Sequence, residues 1–259
     1  MKQEMMTVVA QRPLAPKIFE LTLSGQLVKE MQLPGQFLNI LVPQKDLILR
    51  RPISINQIDQ QNLTCRIIYR VEGAGTKALA QLTTGAKVDV LGPLGNGYSL
   101  ANLQAGDQVY LVGGGIGIPP LYELAKQLQA IGVQPIHFLG FASKEVVYYE
   151  KEFAALGPTF ITTDDGSYQH QGHVGTILPD RTQDVQIAGI FACGNNGLLK
   201  MVTQRFSEHP NAQISLEARM ACGVGACYAC VCHADEPSQT KSYKVCDEGP
   251  IFHVGQVVL

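Results

Sequence analysis

The first hundred residues carry short apolar runs separated by Pro, Gly, Asn or Asp. Met6–Ala10, Ile18–Leu23, Phe37–Val42 and Leu63–Val71 are rich in Val, Ile, Leu and Phe, and Lys87–Leu91 alternates as a half-buried strand does. One short helix is expected at Thr76–Leu82, after the glycines at 73 and 75. Many short strands with punctuating turns predict a small antiparallel β-barrel over residues 1–100.

The pattern changes near Gly106. Val109–Val112, Pro135–Phe141, Thr159–Thr163, Gln186–Ala192 and Gln213–Leu216 read as strands, with helices at Leu121–Leu128, Lys144–Leu156 and Asn196–Ser207 between them. Strands alternating with helices predict a parallel sheet covered on both faces, an α/β domain over residues 101–216. From Glu217 the chain is dense in Cys and Gly and ends in a few β-like residues. So short a piece cannot bury much of a core. Residues 217–259 are therefore expected to be a small β-rich domain stapled by its cysteines.

Composition narrows the classes. The chain is 46% hydrophobic and 16% charged, which is globular. A net charge of −2 gives no electrostatic case for nucleic acid. No apolar run approaches the ~18 residues that span a bilayer. The first residues lack a signal peptide's apolar core, so a cytoplasmic location and no membrane partner are expected. Five of the seven cysteines fall between Cys222 and Cys246. That clustering reads as metal or cofactor ligation rather than a disulfide framework.

Cys222, Cys227 and Cys230 are spaced C-x4-C-x2-C, and Cys246 follows after fifteen more residues. This is the plant-type [2Fe–2S] spacing. Gly223 and Gly225 let a loop wrap closely around a small inorganic core, and nearby amides can donate to its sulfurs. A structural zinc site also uses four thiolates, but usually as two separated knuckles. Cys232, two residues after Cys230, is expected to be a non-ligand, because the spacing is met without it.

Two nucleotide-type signals precede the cysteines. Arg51, Pro52, Ile53 and Ser54 suit a flavin phosphate and ring edge, Arg by bidentate contact and Ser by a neutral hydrogen bond. Ile68, Tyr69 and Arg70 end a strand, and the glycine-rich turn with Gly75 and Thr76 offers amides to a pyrophosphate. A surface arginine and ordinary barrel packing are the plainer alternatives. Farther on, Gly113, Gly114, Gly115 and Gly117 lie between a strand and a helix, where a parallel sheet opens its ligand crevice. The run is not a full G-x-G-x-x-G, because Ile118 holds the sixth place. Cys193 and Gly194 follow another strand. Cys193 is expected either to face a nicotinamide or to be a small buried residue at a strand end. Asp164 and Asp165 read as a ribose contact or as a solvated turn.

The order of these modules resembles the ferredoxin-NAD(P) reductase superfamily. Within it, the chain resembles the electron-transfer subunits of class B dihydroorotate dehydrogenases. The resemblance rests on Arg51–Ser54, Tyr69-Arg70 with Glu72–Thr76, Gly92–Gly97, Gly113–Pro120, Thr163–Ser167, Cys193–Gly197, Met220–His233 and Cys246–Pro250. It implies FAD at Arg51–Ser54, Ile68–Arg70, Gly75 and Thr76, and a [2Fe–2S] cluster on Cys222, Cys227, Cys230 and Cys246. It also implies NAD as electron acceptor and an FMN-containing catalytic partner, two of each forming a heterotetramer in pyrimidine biosynthesis. The chain alone is not expected to oxidise dihydroorotate. Two other readings stay open: a ferredoxin or sulfur reductase subunit with the same cofactors, and a zinc-stapled binding module without redox work.

Overall fold

The structure, a computed structural model of the chain, describes residues 1–179, 187–236, 238 and 240–259. Six strands close a barrel in its N-terminal part. They are β1 (Lys2–Ala15), β2 (Ile18–Ser24), β3 (Phe37–Leu41), β4 (Arg51–Asp59), β5 (Thr64–Arg70) and β6 (Lys87–Leu94). The order around the barrel is β1-β2-β5-β4-β3-β6, antiparallel throughout, so no strand edge is left unpaired. Inward Met6, Val8, Leu21, Leu23, Leu38, Ile40, Ile67, Val88 and Val90 form its core. The single helix, α1 (Ala74–Leu79), starts two residues before the expected position.

One barrel strand was not among the expected elements. β4 opens on Arg51-Pro52 and carries Asn56, Gln57 and Asp59, so its polar content hides the pattern. Pro52 is tolerated near the start of the strand, where little ladder pairing is lost.

The second part is a seven-stranded sheet built on β7 (Gln108–Gly114), β8 (Gln134–Phe141), β9 (Thr159–Thr163), β10 (His170–Gln171), β11 (Gly189–Cys193) and β12 (Ala212–Ser215). These six run parallel, in the order β10-β9-β8-β7-β11-β12. Helices α2 (Pro119–Ala130), α3 (Glu150–Ala154) and α4 (Asn196–Arg205) cover them. The strand expected at Gln186–Ala192 begins at Gly189, and its Gln186 lies outside the described residues.

The helix expected at Lys144–Leu156 is a correction: only Glu150–Ala154 is α-helical. Tyr149 takes a left-handed backbone (φ 61°), which breaks the run. Its ring is buried, and its hydroxyl donates to Glu20 of the barrel, while Asn56 Nδ2 donates to that hydroxyl at 2.9 Å. A core contact between the two parts has overridden local helix propensity.

The C-terminal residues do not stand apart. β13 (Val231–His233) and β14 (Ser242–Lys244) form a small hairpin, but β15 (Ile251–His253) joins the large sheet antiparallel to β12 as its edge strand. Cys230, Val245, Cys246 and Phe252 share one apolar core with Val112, Ile190 and Ile214 of the sheet. The barrel is tied to α2 as well, where Glu123 accepts from the Ile58 amide at 2.9 Å and Lys126 donates to the Ile58 carbonyl at 3.3 Å. No helix among the described residues is long and apolar enough to cross a membrane.

Candidate functional site

Two clefts open at the carboxyl edge of the parallel sheet, where such sheets present ligands. The first, about 560 Å³, lies between barrel and sheet. Pro52, Ile53 and Ser54 from β4 and Ile68, Tyr69 and Arg70 from β5 line one wall, and Thr76 of α1 adds to it. The facing wall is Ile116, Pro119, Cys193 and the segment Ser215–Met220. Arg51 packs against α1, since a Cβ on buried Gly75 would overlap its guanidinium. Only glycine lets that side chain lie across the turn, beside the cleft. The Thr76 hydroxyl accepts the Glu72 and Gly73 amides at 3.0 and 3.3 Å and so fixes the entry to α1. Arg70, with the apolar Pro52, Ile53 and Ile68, makes a wall that suits a flat, phosphorylated ligand; Arg51 does not line the cleft, and the Tyr69 ring is 3% exposed, stacked on Phe19 with its hydroxyl donating to Gln11 at 3.1 Å.

The second cleft, about 510 Å³, is lined by Gly114 at the end of β7 with Gly115 and Gly117 beyond it, Gly140 near the end of β8 with Ala142 beyond it, Asp164 after β9, and Gly194, Asn195 and Gly197 after β11. Glycine is required at 117, where a Cβ would lie 2.6 Å from the Cys193 carbonyl and the Gly194 nitrogen. The backbones of the two loops therefore touch, leaving amides rather than side chains to meet a dinucleotide. Asn195 caps α4 by accepting the Leu198 amide at 2.9 Å. Gly113 points elsewhere: its α-carbon faces Ile118 and Leu121, so its role is packing.

The clefts meet at Arg70, Ile116 and Glu217, which line both. Cys193 belongs to the first cleft and is 4% exposed. Burial pushes its thiol up to about 12, the Glu217 carboxylate adds to this, and a hydrogen bond with Ser215 opposes it. It is thus a neutral thiol at neutral pH. Glu217 is itself raised, by desolvation and by Glu72, against Arg70. Sequence reasoning passed over Glu217; its one signal was its place just after a strand, at the carboxyl edge of the sheet.

The cysteine loop runs against the barrel. Gly223 (φ +73°) and Gly225 (φ +75°) take the left-handed turns that wrap it. Amides already point at sulfurs: Val224 N to Cys222 Sγ at 3.4 Å, Gly225 N to Cys246 Sγ at 3.1 Å and Cys246 N to Cys230 Sγ at 3.4 Å. Cys227 lies near Cys222, and Cys230 near Cys246. Among the described residues no three His, Cys, Asp or Glu side chains converge on one metal-ion position. Three cysteines within nine residues and a lone fourth suit an iron–sulfur cluster better than the two separated knuckles of a zinc site. Cys232 turns away, its Sγ donating to the Tyr243 carbonyl at 3.6 Å across the hairpin. Cys230 and Cys246 are buried, whereas Cys227 and its neighbour Tyr228 are exposed.

Comparison with known proteins agrees with this layout. Residues 217–258 match the family model of the iron-sulfur cluster binding domain of dihydroorotate dehydrogenase B. The chain is 58% identical over 260 residues to the dihydroorotate dehydrogenase B (NAD(+)) electron transfer subunit of Enterococcus faecalis, covering 100% of this chain and 99% of that one. It is 53% identical over 258 residues to the protein of the same name from Geobacillus thermodenitrificans, with 99% of each covered. Among solved structures, a chain from the structure of the NADH-dependent reduced ferredoxin-NADP oxidoreductase superposes with a TM-score of 0.87 at 26% identity, over 98% of this chain and 90% of that chain. The Plasmodium falciparum ferredoxin-NADP+ reductase shares the fold alone, with a TM-score of 0.66 at 12% identity over 82% of this chain and 95% of that chain.

Proposed function

The chain belongs to the family of dihydroorotate dehydrogenase B (NAD(+)) electron transfer subunits, and from that membership we propose how its residues divide the work. It is an oxidoreductase component that takes electrons from a dihydroorotate dehydrogenase catalytic subunit and delivers them to NAD⁺ in pyrimidine biosynthesis. Its cofactors are FAD and a [2Fe–2S] cluster. The cluster supplies one-electron exchange and the flavin converts that to the two-electron chemistry of nicotinamide.

In this reading the barrel wall at Arg51–Ser54, Ile68–Arg70 and Thr76 holds FAD, with Gly75 making room for Arg51. Gly114, Gly115, Gly117 and Gly194 hold the dinucleotide by their backbones. Arg70, Ile116 and Glu217, shared by both clefts, orient nicotinamide against flavin, and Cys193 closes the inner wall as a neutral, apolar-like group. Cys222, Cys227, Cys230 and Cys246 ligate the cluster. Exposed Cys227 and Tyr228 make that end the side from which the catalytic subunit supplies electrons. The partner carries FMN, and two of each subunit assemble. A thiol-ligated cluster needs reduced cysteines, so the cytoplasm is the compartment this reading assigns.

The observation that carries it is the meeting of the two clefts at Arg70, Ile116 and Glu217, with the cysteine loop packed on the barrel at Asn39. Purified anaerobically, the chain should contain FAD, two irons and two sulfides per subunit. It should reduce artificial acceptors with NADH yet not oxidise dihydroorotate. A colourless preparation without iron or flavin, or dihydroorotate turnover by the single chain, would overturn it.

A further inference from the structure

Asn39 is a polar residue in an apolar wall. It lies mid-β3 between Leu38 and Ile40, and its residue is 0% exposed. Its amide does nothing for the barrel. Nδ2 donates to the Cys222 carbonyl at 3.3 Å, and Oδ1 is buried with no hydrogen-bond partner among the described residues. A leucine would fill the same space without an orphaned oxygen. The cysteine loop is shaped to receive this amide. A Cβ on Gly223 would overlap Asn39 Nδ2, so glycine at 223 answers both the left-handed turn and the close approach.

The same residue adjoins the flavin cleft. On the barrel surface Asn39 stands directly opposite Pro52, and opposite residues of an antiparallel pair share a face. Pro52 lines the cleft. The Asn39 carbonyl accepts from Arg50 Nη1 at 3.2 Å, and Arg50 is fixed by an ion pair with Asp89 at 3.0 Å. Asn39 thus spans the wall between the cleft and the first cluster ligand. It joins segments 183 residues apart in sequence.

We propose that Asn39 is the positioning residue that holds the Cys222 loop at a fixed distance from the flavin, and thereby sets the rate of one-electron exchange between flavin and cluster. This rests on the electron-transfer reading above and deepens it. The step is simple to balance. A hydride from NADH brings two electrons to the flavin, and the oxidised cluster accepts one of them while the other stays behind. The amide is neither ligand nor redox group. It keeps the loop docked, and with it the Val224 and Gly225 amides on the Cys222 and Cys246 sulfurs. Loss of those donors lowers the potential of the cluster.

The test uses the cofactor-loaded subunit with Asn39→Leu and Asn39→Met, which keep the volume, add no charge and remove the donor. Stopped-flow mixing with NADH separates flavin bleaching from cluster reduction, the latter followed by freeze-quench paramagnetic resonance. Flavin reduction should stay within about twofold of wild type, while cluster reduction should slow by about fivefold, the equilibrium weight of one net hydrogen bond. The cluster potential should move to more negative values in both variants. Wild-type cluster rates and potential in a cluster-replete variant would overturn the proposal. So would equal slowing of flavin and cluster, which marks general damage to the barrel. If Asn39→Leu does not yield a folded subunit, the more adaptable Asn39→Met carries the comparison. Wild-type protein without flavin or iron would instead refute the underlying function, so the two failures are distinct.

Discussion

Gly117→Ala puts the contact between the two nucleotide loops to a direct test. The added methyl would lie 2.6 Å from the Cys193 carbonyl carbon and oxygen and from the Gly194 nitrogen. All three are backbone atoms, so no side chain can swing aside. Ordinary carbon contacts lie at about 3.5–4.0 Å, so the loops must part by about 1 Å. Overpacking of that kind costs about 1–3 kcal/mol. In a chain of this size each kcal/mol lowers the melting midpoint by about 2–4 °C. The functional effect should be larger, because a displacement of about 1 Å near reacting groups can cost about 100-fold. NADH-dependent reduction of an artificial acceptor should show a raised KM for NADH and a lowered kcat together, with flavin still bound. Gly106→Ala is the control. Unlike Gly117 it has a left-handed backbone (φ +93°), with open space around it, so it loses about 1–2 kcal/mol of stability through backbone strain with no change at the loops. Gly117→Ala with wild-type NADH kinetics, or with no greater kinetic effect than Gly106→Ala, would refute the reasoning.

Two further outcomes follow from buried groups. His137 is fully buried, its Nδ1 bonded to the Thr159 hydroxyl at 3.0 Å, and burial pushes its pKa from 6.5 down to about 4. The unfolded chain takes up that proton between the two values and the folded one does not. Stability is therefore fully present above about pH 6.5 and falls by up to about 3 kcal/mol as pH drops to about 4. Equilibrium unfolding across that range should show the slope in wild type and a flatter one in His137→Leu. Cys232→Ser should keep its iron, since a serine hydroxyl can donate to the same Tyr243 carbonyl. Cys227→Ser should lose or alter the cluster, and iron per flavin measured in parallel distinguishes the two.

The sequence was most legible where one residue type answers one local need. The glycines at 223 and 225 take the left-handed turns that the cysteine spacing asks for, and Ile68–Arg70 ends a strand as its pattern predicts. It was least legible where a distant partner decides. Tyr149 leaves the helix because Glu20 and Asn56 wait for its hydroxyl in the barrel. β4 hides because its Asn56 is polar yet buried against that same hydroxyl. β15 is three residues long and has no pattern of its own; it becomes a strand by pairing with β12. Glu217 enters the site only because the end of β12 brings it beside Arg70. Gly113 shows the opposite error, a glycine placed in a binding run by its neighbours while its own contacts are with Ile118 and Leu121.

The placement of the sites also explains why the C-terminal segment is built into the large sheet rather than tethered to it. A carrier domain on a flexible linker would have to search for its flavin at each turnover. Here β15 pairs with β12, Asn96 of the barrel side donates to the Glu248 and Ile251 carbonyls at 3.0 and 2.9 Å, and Phe252 packs into the core beneath. The cluster loop is thus held from both sides, by the sheet through Cys230 and Cys246 and by the barrel through Asn39. The second cleft is held by a different set, the loops after β7 and β11 meeting at Gly117. Neither set borrows a residue from the other. A change at one site should therefore leave the packing of the other intact.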